Sequence, residues 1–462
     1  MEEKKNSWDL VVIGGGPGGY EAAIEAAKRG LRTALVEKEA LGGTCLNRGC
    51  IPTKTLLHTA ELFHELGQGE KLGLTADGYA VSMEALQNRK KEVVEQLKKG
   101  VASLMKMNKI TVFAGNGSIL DQGLVKAKGA GESQILHTVH ILIATGSVPS
   151  CPPIPGADLP GVLTSDGLLE KKELFDHLLI IGGGVIGMEF ASIYSSLGRR
   201  VTVIEAMDRI LPGMDREIGQ NLKMILKKRG VDIHTGARVE KIEKEGAGLA
   251  CCFSEKESPG RIAADGILIA TGRRPWTDGL FDEESSPQIK EIKTERGRIL
   301  VDEHFETGLA GVYAIGDVIG GVQLAHAASA QGRIAAAHMA GEASDIRGDL
   351  IPSCVYTSPE IGCVGISADE AKERGIPVIT KKYPMSANGK SVITLQERGF
   401  IKVVADSESR RILGAQMMCA RATDMISQFT QAIANNLTIE DMEKVVYPHP
   451  TFSEGIGEAV RG

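Results

Sequence analysis

Two stretches of the chain repeat one order of apolar and polar positions. The first opens on the apolar run Leu10–Ile13 and passes at once into Gly14-Gly15-Gly16-Pro17-Gly18-Gly19. The second opens on Leu178–Ile181 and passes into Gly182-Gly183-Gly184-Val185-Ile186-Gly187. In each, a segment of helical length follows, and a second apolar run ends in an acid, Glu37 or Glu205. Each acid lies 23 positions beyond the first glycine of its cluster. Short apolar runs on either side of a glycine turn and a helix are the pattern of a β-α-β unit. Ala22, Ala23, Ala26 and Ala27 give the first helix a small face that packs close to a sheet. Gly30 and Gly198 stand where a helix ends in a left-handed residue.

The glycine spacing has a mechanism. Gly14 makes a tight turn, Gly16 lets the backbone approach a pyrophosphate, and Gly19 lets helix and strand pack closely. The pyrophosphate rests on the helix N-terminus, and the acid takes ribose hydroxyls. Gly182, Gly184, Gly187 and Glu205 take the same parts in the second copy, so two dinucleotides are expected. A carboxylate at Glu205 accepts from a 2′-hydroxyl and repels a 2′-phosphate, which favours NAD over NADP, although Arg199 and Arg200 lie close by. Two later runs echo each other as well. His140–Ser147 and Gly266–Arg273 each read as a strand followed by Ala-Thr-Gly, closing the sheet of its own fold. A further strand in Gly311–Asp317 is expected to end at Asp317, an acid suited to a ribityl hydroxyl or a group on the phosphate side. Beyond Ile351 the character changes to strand-like runs such as Phe400–Asp406 and a helical run Asp424–Asn436. That region reads as a separate antiparallel α+β domain.

Composition narrows the class. The 462 residues, 42% hydrophobic and 24% charged, suit a soluble globular chain of about three domains. No apolar run reaches the roughly 18 residues of a membrane span, and Met1–Leu10 lacks the apolar stretch of a signal peptide. A net charge of −6 and 4% aromatic residues give no attraction to nucleic acid. Glycine, at 56 residues, is well above the usual 7% or so, which marks many positions of left-handed backbone or close approach. The eight cysteines show neither a C-x-x-C pair nor zinc spacing, so no metal site is expected. Most of them read as small buried apolar residues.

Cys45 and Cys50 stand apart, inside Gly42-Gly-Thr-Cys-Leu-Asn-Arg-Gly-Cys-Ile-Pro-Thr-Lys54. Five positions along a regular helix separate Cα atoms by about 8 Å, too far for a disulfide. A bond between these cysteines needs a distorted turn, which Gly49 and Pro52 help supply. So small a loop adds little stability when closed, which favours reversible redox chemistry. Lys54, one helical turn beyond Cys50, is placed to sit beside a thiolate or a flavin. At the other end, Tyr447-Pro-His-Pro-Thr-Phe-Ser-Glu454 holds His449 between two prolines, with Glu454 positioned to orient its ring. Thiol–disulfide exchange needs a base to make thiolate, and a His-acid pair supplies one.

These segments together resemble the flavoprotein disulfide reductases and, within them, the dihydrolipoamide dehydrogenases. The resemblance runs through GGGPGG, GGTCLNRGCIPTK, ATGS, GGGVIGMEF, ATGRRP, YAIGD, LAHAA, VYTSPEIG and HPTFSE in order, essentially the whole chain. It implies an α/β protein with two Rossmann-like domains, for FAD and NAD, and a C-terminal α+β dimerisation domain. The implied division is 1–150 and 276–348 for FAD, 151–275 for NAD and 349–462 for the interface. FAD would be held by Gly14, Gly16, Gly19, Glu37, Gly43, Thr44, Lys54, Gly117, Ala144, Thr145, Gly146, Asp317, Ala325 and His326. NAD would be held by Gly182, Gly184, Val185, Ile186, Gly187, Glu205, Val239 and Gly272. Cys50 would be the flavin-side thiol and Cys45 the thiol that meets substrate. Lys54 would pair with Glu189, and His449 and Glu454 would come from the partner subunit of a homodimer. The implied reaction oxidises dihydrolipoyl groups on the lipoyl domain of a 2-oxoacid dehydrogenase or glycine-cleavage complex, a separate chain, and reduces NAD⁺, in the cytoplasm.

Ile24, Val185 and Glu205 stand where glutathione-type relatives carry an arginine, a gating tyrosine and basic residues. The chain departs from its own branch at Arg48, Trp276, Gln331, Asp424 and Tyr447. The alternatives are a related NAD(P)H-dependent disulfide or quinone reductase, or a nucleotide-binding partner subunit with an idle redox centre.

Overall fold

The apolar run at Leu10–Ile13 forms the strand Ser7–Ile13, and the run at Leu178–Ile181 forms His177–Ile181. Both belong to a computed structural model that describes residues 7–75, 78–281, 283–396 and 398–462. The chain divides into two units. One gathers Met1–Thr55, Gln87–Ser150 and Arg273–Gly348; the other gathers Leu56–Leu86, Cys151–Gly272 and Asp349–Gly462.

In the first unit the strands Thr111–Ala114, Thr33–Glu37, Ser7–Ile13 and Gln134–Ile143 lie side by side in that order. They run parallel, and Val312–Ala314 joins the outer side of Gln134–Ile143. Leu10, Val11 and Val12 are all fully buried, because a parallel sheet is covered on both faces. The helix Pro17–Lys28 covers one of them. Its small residues meet more than the sheet. A Cβ added at Gly332, in the helix Ala325–Met339, would lie 2.8 Å from the Gly18 carbonyl and 2.9 Å from the Ala22 methyl. Two helices with glycine and alanine on facing sides approach backbone to backbone there.

The second unit repeats the arrangement. Asp232–Thr235, Arg200–Glu205, His177–Ile181 and Gly266–Ile269 follow one another in the same spatial order, all parallel. In both sheets the strand before Ala-Thr-Gly pairs with the first strand, so it lies centrally. Beside the second sheet is the antiparallel meander Ala237–Glu245, Gly248–Glu255, Ser258–Ala264. The C-terminal region is a five-stranded antiparallel sheet. Its strand Phe400–Asp406 matches the expected run, and its helix Ala422–Ala434 begins two residues before the expected one. Cys251 and Cys419 are buried as expected, whereas Cys151 is exposed.

Two expectations are corrected. The strands Gln134–Ile143 and Gly266–Ile269 do not end their sheets, since each has neighbours on both sides. The strand Val312–Ala314 stops short of Asp317, which lies instead in the single helical turn Gly316–Ile319. Gly316, at φ +73°, turns the chain out of the strand before the acid is reached.

Candidate active site

The two glycine turns are near copies. Gly14 and Gly182 have φ of +107° and +113°, and a Cβ on them would lie 2.3 and 2.4 Å from the Ala144 and Ala270 carbonyls. A Cβ on Gly19 or Gly187 would lie 1.9 or 2.1 Å from the carbonyl of the first glycine. Those four positions are glycine because the backbone itself fills the space. Gly16 and Gly184 differ, with ordinary φ values of −70° and −76°. No protein atom comes within 3.9 Å of a Cβ built on either. Each caps a 12-residue helix that has no side-chain cap and no acid in its first turn. Open amide donors, the positive end of a helix and room for close approach fit a pyrophosphate at both turns.

The acids are held alike. Glu37 accepts from the Gly15 N–H at 2.6 Å and the Glu39 N–H at 2.8 Å. Glu205 accepts from the N–H groups of Gly183 and Met207 in the same way. Gly43, at φ +56°, would carry a Cβ 2.6 Å from the Gly16 Cα, which brings Thr44 and the cysteine segment against the first turn. Gly117 is pressed on Ile13, where a Cβ would lie 2.9 Å from its methyl. Ala325 and His326 open a third uncapped helix. In the second unit Val185 is exposed at the start of its helix, Ile186 is half-buried, and Gly272 sits at φ +114°. Val239 is half-buried beside a break in strand register.

The distorted turn expected between the cysteines is present. A short helix, Gly43–Arg48, carries Cys45, and a new one, Cys50–Leu66, starts at Cys50. Between them Gly49 leaves helical geometry at φ −136°, ψ −109°, and a Cβ there would lie 3.0 Å from the Thr44 carbonyl. Breaking the helix here brings the two side chains together as thiols. The hydrogen bond with Cys50 raises the Cys45 pKa, burial and the neighbouring sulfur raise it further, and the Lys54 charge opposes them. Cys50 is the more exposed of the two. Arg48, the departure between them, forms an exposed ion pair with Glu39.

His449 and Glu454 are brought together in the second unit. Nδ1 lies 2.8 Å from the Glu454 carboxylate, whose other oxygen accepts the Thr451 N–H at 2.8 Å. The Thr451 amide, then the imidazole, hold the Glu454 pKa below its usual range. The His449 side chain is 79% exposed, so its far nitrogen faces outward. Tyr447 packs against the helix Glu454–Arg461, where a Cβ on Gly457 would lie 2.7 Å from its ring. Glu189 is buried on the helix Val185–Ser196 and accepts the Tyr356 N–H at 3.2 Å. The candidate set is thus divided: the dithiol, Lys54 and the first turn lie in one unit, and Glu189, the second turn and the His-Glu pair lie in the other.

Two supporting residues are not assigned a part at the site from the sequence. Ser147 donates to Asp317 and accepts from Arg273 Nε at 2.7 Å, which ties the acid to the strand Arg273–Pro275. Gln331 accepts the Gly316 N–H at 2.7 Å, a bond that an acid at that position would also make. Among the described residues no group of three His, Cys, Asp or Glu side chains is arranged to hold a metal, and no helix is long and apolar enough to cross a membrane.

Comparison with known proteins agrees with this geometry. Residues 8–332 match the pyridine nucleotide-disulphide oxidoreductase family, and residues 351–460 match the dimerisation domain of that family. The chain is 41% identical to a dihydrolipoyl dehydrogenase of Bacillus subtilis, over 98% of this chain and 97% of that one. It is 38% identical to one from Trypanosoma brucei brucei, over 98% and 96%. Among solved structures, LpdA of Mycobacterium tuberculosis superposes with a TM-score of 0.90 at 28% identity, covering 98% and 99% of the two chains. The hypochlorous-acid-induced flavoprotein disulfide reductase RclA of Escherichia coli gives 0.86 at 32%, with the same coverage. With two duplicated nucleotide turns, a dithiol and a His-acid pair on a chain matched from end to end, the protein belongs to the pyridine nucleotide-disulphide oxidoreductases.

Proposed function

We infer that the chain is a dihydrolipoyl dehydrogenase that works as a homodimer with FAD and NAD. The observation that carries the reading is the pair of redox elements in one chain of this family: thiols of Cys45 and Cys50 in contact, and His449 held by Glu454 at 2.8 Å. The first turn, with Glu37, Gly43, Thr44, Gly117, Ala144–Gly146, Asp317, Ala325 and His326, holds the flavin nucleotide. The second turn, with Val185, Ile186, Glu205, Val239 and Gly272, holds NAD. Bound flavin supplies the two-electron link between the dithiol and the pyridine nucleotide. On the same reading, residues 1–150 and 276–348 form the FAD domain, 151–275 the NAD domain and 349–462 the interface.

A carboxylate only accepts hydrogen bonds, so His449 carries its hydrogen on Nδ1 and keeps a lone pair on Nε2. Nε2 takes the proton of a substrate thiol, and the ionised Glu454 stabilises the imidazolium that forms. The substrate thiolate attacks Cys45 Sγ in the disulfide form of the pair, and Cys50 leaves as thiolate. The second substrate thiol then displaces Cys45, which closes the lipoyl disulfide. One S–S bond forms, one breaks, and two electrons pass to the dithiol. Lys54, one turn from Cys50, and Glu189 complete the set, and His449 and Glu454 act from the partner subunit. The electron donor is the dihydrolipoyl group of a lipoyl domain of a 2-oxoacid dehydrogenase or glycine-cleavage complex, in the cytoplasm.

The likeness to RclA supports a second reading, an NAD(P)H-driven reductase of another disulfide. Anaerobic stopped-flow absorbance separates the two. Dihydrolipoamide should produce a long-wavelength band, and NAD⁺ added next should give NADH at a catalytic rate. Flavin that is reduced by NADH but untouched by dihydrolipoamide would favour the second reading.

A further inference from the structure

Trp276 follows the strand Arg273–Pro275, and neither the dithiol chemistry nor the glycine spacing gives it a part. Its backbone is tied to the turn after the strand Gln134–Ile143. The Trp276 N–H donates to the Gly146 carbonyl at 3.0 Å, and its carbonyl accepts the Thr145 hydroxyl at 2.6 Å. Its ring serves a different segment. The Lys38 ammonium lies 4.5 Å from the ring centroid, and the Arg274 guanidinium lies 5.6 Å from it. Lys38 directly follows Glu37, whose carboxylate is committed to the amides of Gly15 and Glu39. One residue thus connects the Ala144–Gly146 turn with the Glu37–Lys38 corner, and both of these border Gly14 and Gly15.

The electrostatics of that corner call for a cation. A nucleotide brings two phosphates to the helix N-terminus and ribose hydroxyls to Glu37. The carboxylate is well placed for the hydroxyls and repels the phosphates. A lysine on the next residue, Lys38, brings a cation to this corner, but an unrestrained lysine side chain loses rotamer freedom when it is recruited. An indole face attracts an ammonium and holds it in place beforehand.

We propose that Trp276 is a positioning residue of the first dinucleotide site: its indole holds the Lys38 ammonium beside Glu37, so that the adenosine-diphosphate half of the flavin nucleotide meets a fixed cation. The proposal rests on the reading of the first fold as the flavin site. The test is the rate at which flavin fluorescence appears when holoprotein is diluted at low ionic strength with free flavin trapped. Trp276→Leu is expected to release flavin about two- to fivefold faster, the size of one exposed cation–π contact, with Trp276→Phe between it and wild type. In a Lys38→Met background the Trp276→Leu change should add nothing. Release that is unchanged in Trp276→Leu, or faster by the same factor with and without Lys38, overturns the proposal. A wild-type protein that neither carries nor takes up FAD overturns the flavin reading as well, so the two failures are distinguishable.

Discussion

The two glycine turns share a frame and lead into different helices. In the first, the Gly42 N–H donates to the Gly15 carbonyl at 2.8 Å; in the second, the Leu211 N–H donates to the Gly183 carbonyl at 2.9 Å. Beyond that common bond the first copy turns into the interrupted cysteine helix. The second copy turns into Arg216–Lys228, capped by Asp215. Asp215 is buried, and both its oxygens meet the Lys402 ammonium, at 2.9 and 3.0 Å, while Glu217 meets it at 2.9 Å. Burial pushes the Lys402 pKa down, but the hydrogen bonds it donates to Glu217 and Asp215 outweigh it and hold the lysine charged. The same scaffold position thus carries redox chemistry in one copy and a buried ionic anchor in the other. The frame that binds a nucleotide does not decide the chemistry; the segment docked behind it does.

The sharpest way to break this contrast is to remove the chemistry from the first copy alone. Cys45→Ser should lower dihydrolipoamide oxidation by about a thousandfold or more while bound flavin stays in place, read by steady-state rate and by absorbance. The matching change in the second copy is Asp215→Ala. It strips Lys402 of a buried partner and should cost about 3 kcal/mol in urea unfolding, since one partner of a buried pair is lost while Glu217 remains. Equal dithiol turnover at a temperature where the variant stays folded would mark Asp215 as an anchor.

The shared frame makes a paired prediction of smaller size. Gly14→Ala and Gly182→Ala force the same contact with a carbonyl and each should cost about 2 kcal/mol, with different readouts. The first should weaken flavin retention, the second should raise the KM for NAD⁺, and neither should do both.

A pH-dependent effect tests the helix that the first copy leads into. Glu61, three turns beyond Cys50, has its pKa raised to about 7 by burial, then by Glu360 and Glu65, against the pull of Arg421 and Arg229. The folded form therefore binds this proton more tightly than the unfolded chain does. The stability linked to it is fully present below the ordinary carboxylate range and is lost as pH rises through about 7. Glu61→Gln should leave the urea midpoint unchanged below about pH 4.5 and raise it above pH 7.

Much of both copies was legible in the residues. Glycine at Gly14 and Gly182, the acids at Glu37 and Glu205, and the break at Gly49 all report local backbone demands. A left-handed turn or an interrupted helix must be written into the few residues that make it. The His449–Glu454 pair was legible for the same reason, since five positions and two prolines set its reach. The central place of the strands before Ala-Thr-Gly was not, because strand order depends on crossovers rather than on any run of residues. Asp317 was misplaced at a strand end because a glycine turn intervenes.

By itself, then, the sequence determined the duplicated nucleotide frame, the dithiol turn and the His-acid pair, since each is specified within a few tens of residues. Only the tertiary structure decided that Gly332 lies on Gly18, that Lys402 sits on Asp215, that Tyr447 lies on Gly457 and that Trp276 holds Lys38. Most of those partners are far apart along the chain, and none leaves a periodic trace. The choice of a glycine, a lysine or a tryptophan there is made by the neighbour that packing supplies.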